Sequence, residues 1–470
     1  VQLKYSVLTM NTPTLTLRVE RVTRRNFAIV ALVLGLAAAI LFPFMNTAGS
    51  GFVVLGLLLF SAACLLPTIL GLGLSLVSRI LPRHSLIGRW LVSDGWSQMP
   101  AFRSAMMALL MAMTANLGVG TLIDSFRSAF TGWLEVRQSA DIYVRAPRLD
   151  LVAVLEPDAS DRWLRDSHER IGVTTRWRGR PTLIRGADTR APDSLRFPLA
   201  QWSGETPEQA LKRWRDEPDA VLANEQLYYL AGLKLGDIVQ FETDEGARDY
   251  HVVGFFYDYG NPYYQFYLSY EEVAARWKQH YSRGMALWLK ADVAGEKTAQ
   301  ELAESSLINA GLQAGDWISQ AEVRRLSVNI FERTFAITSA MNGLTLIVAA
   351  IALLASLLAI LQERMPQFAQ WRALGVRYRE QFGVIACPLL IFVSLSWLLA
   401  IPLGGVLSWL LINKLNIVSF GWSMPMLWDM TPAWKLGGLV LLIVASTLML
   451  VLLQLRRRLP RALAQLGELA

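Results

Sequence analysis

The chain has 470 residues, 53% of them hydrophobic and 18% charged, with a net charge of +7. A soluble globular protein of this length does not read so apolar. The surplus charge is arginine set beside apolar runs, with no basic domain and no nucleic-acid-binding motif, which excludes a nucleic-acid partner.

Residues 1–26 are polar and basic, with Arg18, Arg21, Arg24 and Arg25 just ahead of the first apolar run, and are expected to form a cytoplasmic N-terminal segment. Residues 27–80 predict two membrane helices, Phe27–Phe44 and Gly51–Ile80, with a kink at Pro67. Arg79, Arg83 and Arg89 return the chain to the inside. Residues 81–104 then form a cytoplasmic amphipathic segment whose Trp90, Trp96 and Phe102 predict an interfacial helix. Residues 105–126 are the third membrane helix. Its Thr114, Asn116, Gly118 and Gly120 read as helix-packing groups before they read as a substrate path.

Residues 127–332 contain no spanning run and many charges, and are long enough to bury a core of their own. The segment reads as mixed α+β. Asp141-Ile-Tyr-Val-Arg145 predicts an opening strand. Thr206-Pro-Glu-Gln209 predicts a capped helix through Trp214, and Ser269-Tyr-Glu-Glu272 caps another. Ile238–Thr243 and Tyr250–Tyr257 flank a turn at Asp244-Glu-Gly246 and read as a hairpin. Ala294–Ala310 is a further helix. Ser319-Gln-Ala-Glu322 caps one that can run into the next span without a break.

Residues 333–470 carry three more membrane helices, with apolar runs at Phe335–Leu361, Phe382–Ile412 and Ala433–Leu455. The loop Asn413–Pro432 has few charges and suits the outer side, with Phe420, Trp422 and Trp428 placed for the interface. Arg456-Arg-Arg458 anchors the last helix inside. The fold class is therefore membrane α-helical, with six transmembrane helices, both ends inside, and an extracytoplasmic α+β domain between the third and the fourth.

Chemistry-bearing motifs are sparse. Gly295-Glu-Lys-Thr298 only echoes a phosphate-binding loop, since the glycine does not directly precede the lysine. His84, His168, His251 and His280 are scattered, and no nucleophile elbow or zinc-helix motif occurs. Cys64 and Cys387 lie inside apolar runs and suggest neither disulfide nor metal. The chain is expected to be no enzyme, with no catalytic, cofactor-binding or metal-binding residues.

The informative stretch joins the fourth and fifth spans. Between Gln362 and Arg379, Arg364, Arg372, Arg377 and Arg379 alternate with Phe368, Trp371 and Leu374, which predicts a short basic amphipathic helix after the span breaks off. On physics alone it is either a topology-fixing loop on lipid headgroups or a helix that docks a cytoplasmic partner. Gln362-Glu-Arg364 followed by Trp371-Arg-Ala-Leu-Gly375 resembles the signature after the second membrane helix of FtsX/MacB-type ABC transporter permeases, with Gln367 standing where that family carries Glu. Ala220–Val239, with Gly232-Leu-Lys-Leu-Gly-Asp237 inside it, and Val252–Gly260 resemble MacB-type periplasmic domains. The Tyr257-Asp-Tyr-Gly260 ending is similar to the ten-span permeases of the YbbP kind. The resemblance covers about residues 88–470, with residues 27–80 as linker spans.

The resemblance implies a permease subunit in the bacterial inner membrane, with its large domain in the periplasm. A separate cytoplasmic ABC ATPase dimer would carry ATP and Mg and drive export or extraction of hydrophobic or lipid-like cargo by mechanotransmission. Arg364, Gln367, Trp371, Arg372, Leu374 and Gly375, with Arg89, Trp90 and Trp96, are the implied coupling residues. The other implied partners are membrane lipids and a second permease unit, either the first half of the same protein or another copy. On that pattern the chain is expected to be the C-terminal half of a longer permease. The alternatives are an FtsX-like regulator that activates a periplasmic hydrolase or lipid-acting protein, and a membrane sensor with no ATPase.

Overall fold

The computed structural model describes residues 2–80, 86–145, 162–191, 194, 196–259, 261, 263–278, 282–291 and 298–468; for 2–19, 78, 80, 86–93 and 461–468 it describes the backbone alone. The phosphate-loop echo at Gly295, and His84 and His280, lie outside the described residues. In chain order, α1 (Gln2–Leu41), α2 (Ala48–Ile80) and α3 (Leu86–Arg137) come first. There follow β1 (Ile142–Val144), β2 (Leu164–Trp177), β3 (Arg180–Ala187), β4 (Leu199–Trp202), α4 (Pro207–Asp216), β5 (Ala220–Asn224) and α5 (Glu225–Ala231). The domain continues through β6 (Ile238–Thr243), β7 (Gly246–Phe256), β8 (Tyr264–Ser269), α6 (Tyr270–Arg276), β9 (Ser282–Leu289), α7 (Ala299–Asn309) and β10 (Trp317–Ser319). The chain closes with α8 (Gln320–Ala373), α9 (Tyr378–Leu410), a π-helical turn (Leu411–Leu415), α10 (Asn416–Phe420) and α11 (Thr431–Glu468).

The chain divides into two units: residues 1–124, 336–415 and 426–470 form one, residues 125–335 and 416–425 the other. Among the described residues, six helices are long and apolar enough to cross a membrane, as the hydropathy pattern predicts: α1, α2, α3, α8, α9 and α11. In the first unit, α2, α3, α8, α9 and α11 share one apolar core, with Leu70, Phe102, Leu357, Phe392 and Val444 buried in it. Phe102 meets Phe392 edge-on at 6.0 Å. α1 leans on α2, where the Ser61 hydroxyl donates to the Ala31 carbonyl at 2.7 Å. The outward stripes stay apolar, with Leu32, Leu36 and Ile40 on α1, Ile347 and Ile351 on α8, and Leu442 on α11 exposed. Hydrocarbon demands such faces, and water does not.

The polar and small residues of α3 serve packing. A Cβ on Gly118 would lie 2.4 Å from Leu407, and one on Gly404 would lie 2.7 Å from Leu117, so the two glycines let α3 and α9 approach closely. Asn116 donates to the Ala112 and Asn342 carbonyls.

Two expected breaks are absent. The segment Trp90–Arg103, expected as an interfacial helix, is the first part of α3, which runs unbroken through Pro100. The reason is the stripe: Met99, Phe102, Met106, Leu109 and Met113 recur at helical spacing and are all buried in the same core. The connector after the fourth span is likewise the end of α8, which continues through Pro366 to Ala373. Phe368 and Ala369 extend the stripe of Leu353, Leu357 and Leu361.

The second unit is built on a mixed ten-stranded sheet of order β10-β1-β9-β2-β3-β8-β5-β7-β4, with β6 on β7. β3–β8 and β5–β7 are parallel and the other pairs antiparallel. α5 and α6 cover a core of Val173, Ile184, Phe255, Phe266 and Val273, while α4 covers Phe197 and Phe256 through Trp214. The caps fall where the sequence places them. Thr206, Ser269 and Ser319 accept from the backbone N–H three residues on; Thr298, not singled out in the sequence reading, makes a full capping box with Glu301 at the start of α7. Ala220–Asn224 is a fully buried strand. Its apolar run is short, and the helix starts only at Glu225.

Within this unit the ends of α3 and α8 pair through Arg127–Glu332 at 2.9 Å and Arg324–Glu135 at 3.1 Å. Phe126, Phe130, Phe331 and Phe335 stack beside them. Trp422, expected at the membrane interface, is instead 7% exposed and packs against Phe126 at 5.0 Å and Tyr259 at 5.1 Å. Phe420 and Trp428 are exposed.

Candidate functional site

The turn between α8 and α9 is built from the backbone outward. α8 ends at Ala373, and Gly375 takes a left-handed φ of 90°. Its N–H donates to the Arg372 carbonyl at 3.0 Å and the next N–H, of Val376, to the Trp371 carbonyl at 3.0 Å, which satisfies the last carbonyls of the helix. Glu380 then accepts from the Arg377 N–H at 2.9 Å and starts α9. No atom lies within 4 Å of a Cβ on Gly375, so Gly375→Ala carries only the backbone penalty. We expect a loss of about 1 kcal/mol, read as a small drop in the melting temperature of the detergent-solubilised chain.

Inside the turn the side chains divide by role. Phe368 is fully buried, Trp371 packs edge-on against it at 5.4 Å, and the buried Gln381 amide donates to the Phe368 carbonyl at 3.0 Å. Arg372 lies over the Tyr378 ring at 4.4 Å and donates to the Val376 carbonyl at 3.2 Å, so it braces the turn. Leu374 is left 83% exposed, the most exposed large apolar side chain among the described residues. Gln367 is exposed two turns earlier.

Arg364 faces inward. Its guanidinium donates to both Asp94 oxygens at 2.6 and 2.8 Å and to the Ser97 hydroxyl at 2.6 Å, with only 15% and 13% of the two charged side chains exposed. Gln98 extends this latch from α3 to α9, donating to Asp94 and to the Val384 carbonyl. Trp96 lies under the Arg24 guanidinium at 4.5 Å. The side chains of Arg89 and Trp90 lie outside the described residues. The implied coupling residues thus separate into an inward latch (Arg364), a brace (Trp371, Arg372, Gly375) and an outward pair (Gln367, Leu374). Sequence reading missed Asp94, Ser97 and Gln98. Their signal was the Asp-x-x-Ser-Gln spacing on one side of a helix otherwise read as interfacial.

The second unit holds one further polar site that the sequence did not disclose. Glu225, 1% exposed, accepts from the Ser423 N–H at 2.9 Å and its hydroxyl at 2.7 Å. Tyr259 donates to the Ser423 carbonyl at 3.1 Å. Burial pushes the Glu225 carboxyl up to about 7, against the opposing pull of the Ser423 hydrogen bonds. A carboxyl raised by folding stabilises the fold in its neutral form. That contribution is complete below about pH 4.5 and is lost as pH rises through about 7, a change of about 3 kcal/mol. Glu225→Gln should remove this dependence, so wild type and variant melting temperatures, compared at pH 5 and pH 8, should converge only at the lower pH. Parallel pH curves would contradict the assignment.

His251 bridges Glu217 at 2.9 Å and Asp219 at 3.1 Å. Glu217, Asp219 and His251 could reach one cation, yet the Arg213 guanidinium already donates to Glu217 at 3.0 and 3.2 Å and holds its carboxyl below the usual range. The cluster reads as a surface ion-pair network. His168 sits likewise between Asp166 and Asp188.

Residues 339–460, which span the second part of α8, the exposed turn, α9 and most of α11, match the FtsX-like permease C-terminal family. The matched segment contains the Trp371-Arg-Ala-Leu-Gly375 element on which the resemblance rested. An uncharacterised ABC transporter permease protein of Mycobacterium tuberculosis, Rv0987, is 25% identical over 372 residues, covering 72% of this chain and 42% of that protein. The chain thus spans less than half the length of that relative. The periplasmic region of MacB from Actinobacillus actinomycetemcomitans aligns over 42% of this chain and 96% of its own, at 13% identity and a TM-score of 0.27. The extracellular domain of the noncanonical ABC-type transporter YknZ from Gram-positive bacteria aligns over 38% and 98%, at 11% identity and a TM-score of 0.23.

Proposed function

We propose that this chain is the membrane subunit of an ABC transporter of the FtsX/MacB type, driven by a separate cytoplasmic ATPase dimer that binds ATP and Mg. The observation that carries the reading is Leu374: an exposed leucine at the tip of a turn fixed by a left-handed glycine, a braced arginine and a buried ion pair, inside the FtsX-like domain. A side chain that costs free energy to leave in water, on a rigid support, is what an interface hot spot requires. Arginines flank it, as they lie beside the apolar runs within α1 and α11, and this bias supports a cytoplasmic side for the turn and both described chain ends, with the sheet domain outside.

In this reading ATP-driven movement of the turn is passed along α8 and α3, each of which carries the chain from one unit into the other as unbroken helix. Work is done outside the membrane, on hydrophobic or lipid-like cargo, with a second permease unit completing the complex in the inner membrane. Site-specific photo-crosslinking from position 374 in native membranes tests it. An adduct with a nucleotide-binding subunit is expected, and adducts with lipid alone would contradict the docking role.

A further inference from the structure

The turn between β2 and β3 is the run Arg176-Trp-Arg-Gly-Arg180, with three arginines in five residues. Arg178 and Gly179 form its tip, and both take left-handed backbone angles, with φ of 49° and 77°. A two-residue turn of this kind favours Asn, Asp or Gly, because a longer side chain strains the backbone there. Among the described residues, Arg178 is the one residue other than glycine with positive φ. An arginine stands where a glycine would fit better, an outlier of the kind that marks functional positions.

The strand register sets this tip beside exposed apolar side chains. β3 and β8 run parallel with Thr182 opposite Tyr264, so Tyr263 falls level with Pro181, and Arg180 lies over the Tyr264 ring at 5.5 Å. The Arg178 guanidinium donates to the Ala231 carbonyl at 3.4 Å, at the end of α5. Leu230, the preceding residue of α5, comes within 2.7 Å of a Cβ built on Gly421, and Phe420 lies next to Gly421 in the chain. Leu230, Tyr263 and Phe420 are 44%, 51% and 58% exposed, and Arg176, Arg178 and Arg180 are exposed with them. Among the described residues none of these three arginines enters an ion pair, and the one acid of α5, Glu225, is buried. All six side chains belong to the second unit.

This end of the sheet is also where the chain joins its membrane helices. Phe126, the last residue of the α3 apolar run, stacks on Trp422 at 5.0 Å. Phe420 ends the helical run Tyr378–Phe420, which is long and apolar enough to cross a membrane. Two such segments therefore terminate beside the basic turn. Guanidiniums bind phosphate oxygens in pairs, and exposed aromatic rings suit the membrane interface. The centre of a protein interface, by contrast, is depleted of charge.

We infer that the Arg176–Arg180 turn, with Leu230, Tyr263 and Phe420, is a docking surface for anionic phospholipid headgroups of the bilayer that the chain spans. It ties the sheet domain to the membrane surface by charge. The inference goes beyond the permease reading and does not depend on it, because the surface needs no ATPase to dock.

The test is fluorescence quenching on the full chain in phospholipid vesicles. Cys64→Ala and Cys387→Ala remove the native cysteines, and one dye-labelled cysteine is introduced by Tyr263→Cys or, as a reference, by Ala247→Cys. Ala247 is exposed on β7, nine residues before Phe256 and so about 30 Å further from this end of the sheet. The quencher is a lipid with a nitroxide on its headgroup, in phosphatidylcholine with or without phosphatidylglycerol. We expect quenching at position 263 that requires phosphatidylglycerol and fades with added salt, and little at position 247 in either membrane. The triple variant Arg176→Gln/Arg178→Gly/Arg180→Gln should weaken docking about fivefold for each arginine removed. Arg178→Gly relieves the left-handed strain, so this variant should stay folded, and a melting curve checks it. The inference is overturned if position 263 is quenched no more than position 247, if phosphatidylglycerol makes no difference, or if the folded triple variant is quenched as wild type is. Photo-crosslinking from position 178 in native membranes should give lipid adducts, and adducts with protein alone would hand the surface to a protein partner and overturn the lipid assignment. Each of these failures leaves the ATPase reading standing.

Discussion

Leu374→Asp is expected to release the ATPase from the detergent-solubilised chain while leaving the melting transition where it was. The side chain is 83% exposed, so the unbound chain loses almost no packing when it is replaced. In the proposed complex the same position would change from a buried leucine to a carboxylate that must be desolvated. Truncation of such a residue costs about 2 kcal/mol or more, roughly thirtyfold in affinity, and the added charge deepens the loss. Arg372→Ala should do less and act differently. It removes the brace over Tyr378 and the bond to the Val376 carbonyl, so it should lower the melting temperature slightly and weaken capture only partly. Co-purification on a tagged chain, with the melting curve beside it, separates the two effects. Full ATPase capture by Leu374→Asp would remove Leu374 from the interface.

The largest effect on stability is expected from Arg364→Ala. The arginine is the charged partner of Asp94, and both side chains are largely buried. Removing one member leaves a carboxylate in a site that excludes most water, at a cost of about 3 kcal/mol or more. Asp94→Ala should cost a similar amount by stranding the guanidinium. The apolar double replacement Arg364→Met/Asp94→Leu should recover much of the loss, because it removes both desolvation costs together. Thermal denaturation of the four proteins forms a double-mutant cycle, and strictly additive losses would show that the pair is not coupled. The same cycle bears on function. Arg364 and Asp94 tie the end of α8 to α3, so loss of the latch should also lower ATP turnover per captured ATPase.

The hydropathy pattern disclosed the six helices because an apolar run of about twenty residues matches the thickness of a bilayer and little else in a protein does. Three capped helices of the sheet domain were legible for a similar reason, since Thr206, Ser269 and Ser319 carry their signal within three residues. Long-range partners were not legible. Nothing local in Arg364 says that its carboxylate lies 270 positions back at Asp94, so an inward latch read as an outward docking residue. The same limit hid Glu225 and Ser423, which are 198 positions apart, and turned Trp422 from a buried ring into an expected interfacial anchor. The breaks expected before Ala105 and after Leu361 failed for another reason. A stripe of buried residues continues through Pro100 and Pro366, and tertiary packing of that stripe outweighs the local signs of a boundary.

The measurement that bears most directly on the central claim is purification of the intact complex from its native membrane, with identification of every stoichiometric protein and assay of ATP hydrolysis. The account predicts a nucleotide-binding ATPase subunit at a fixed ratio, turnover of ATP, and loss of both when the chain carries Leu374→Asp. Recovery of the chain with no ATPase would contradict it, and so would turnover that is indifferent to position 374.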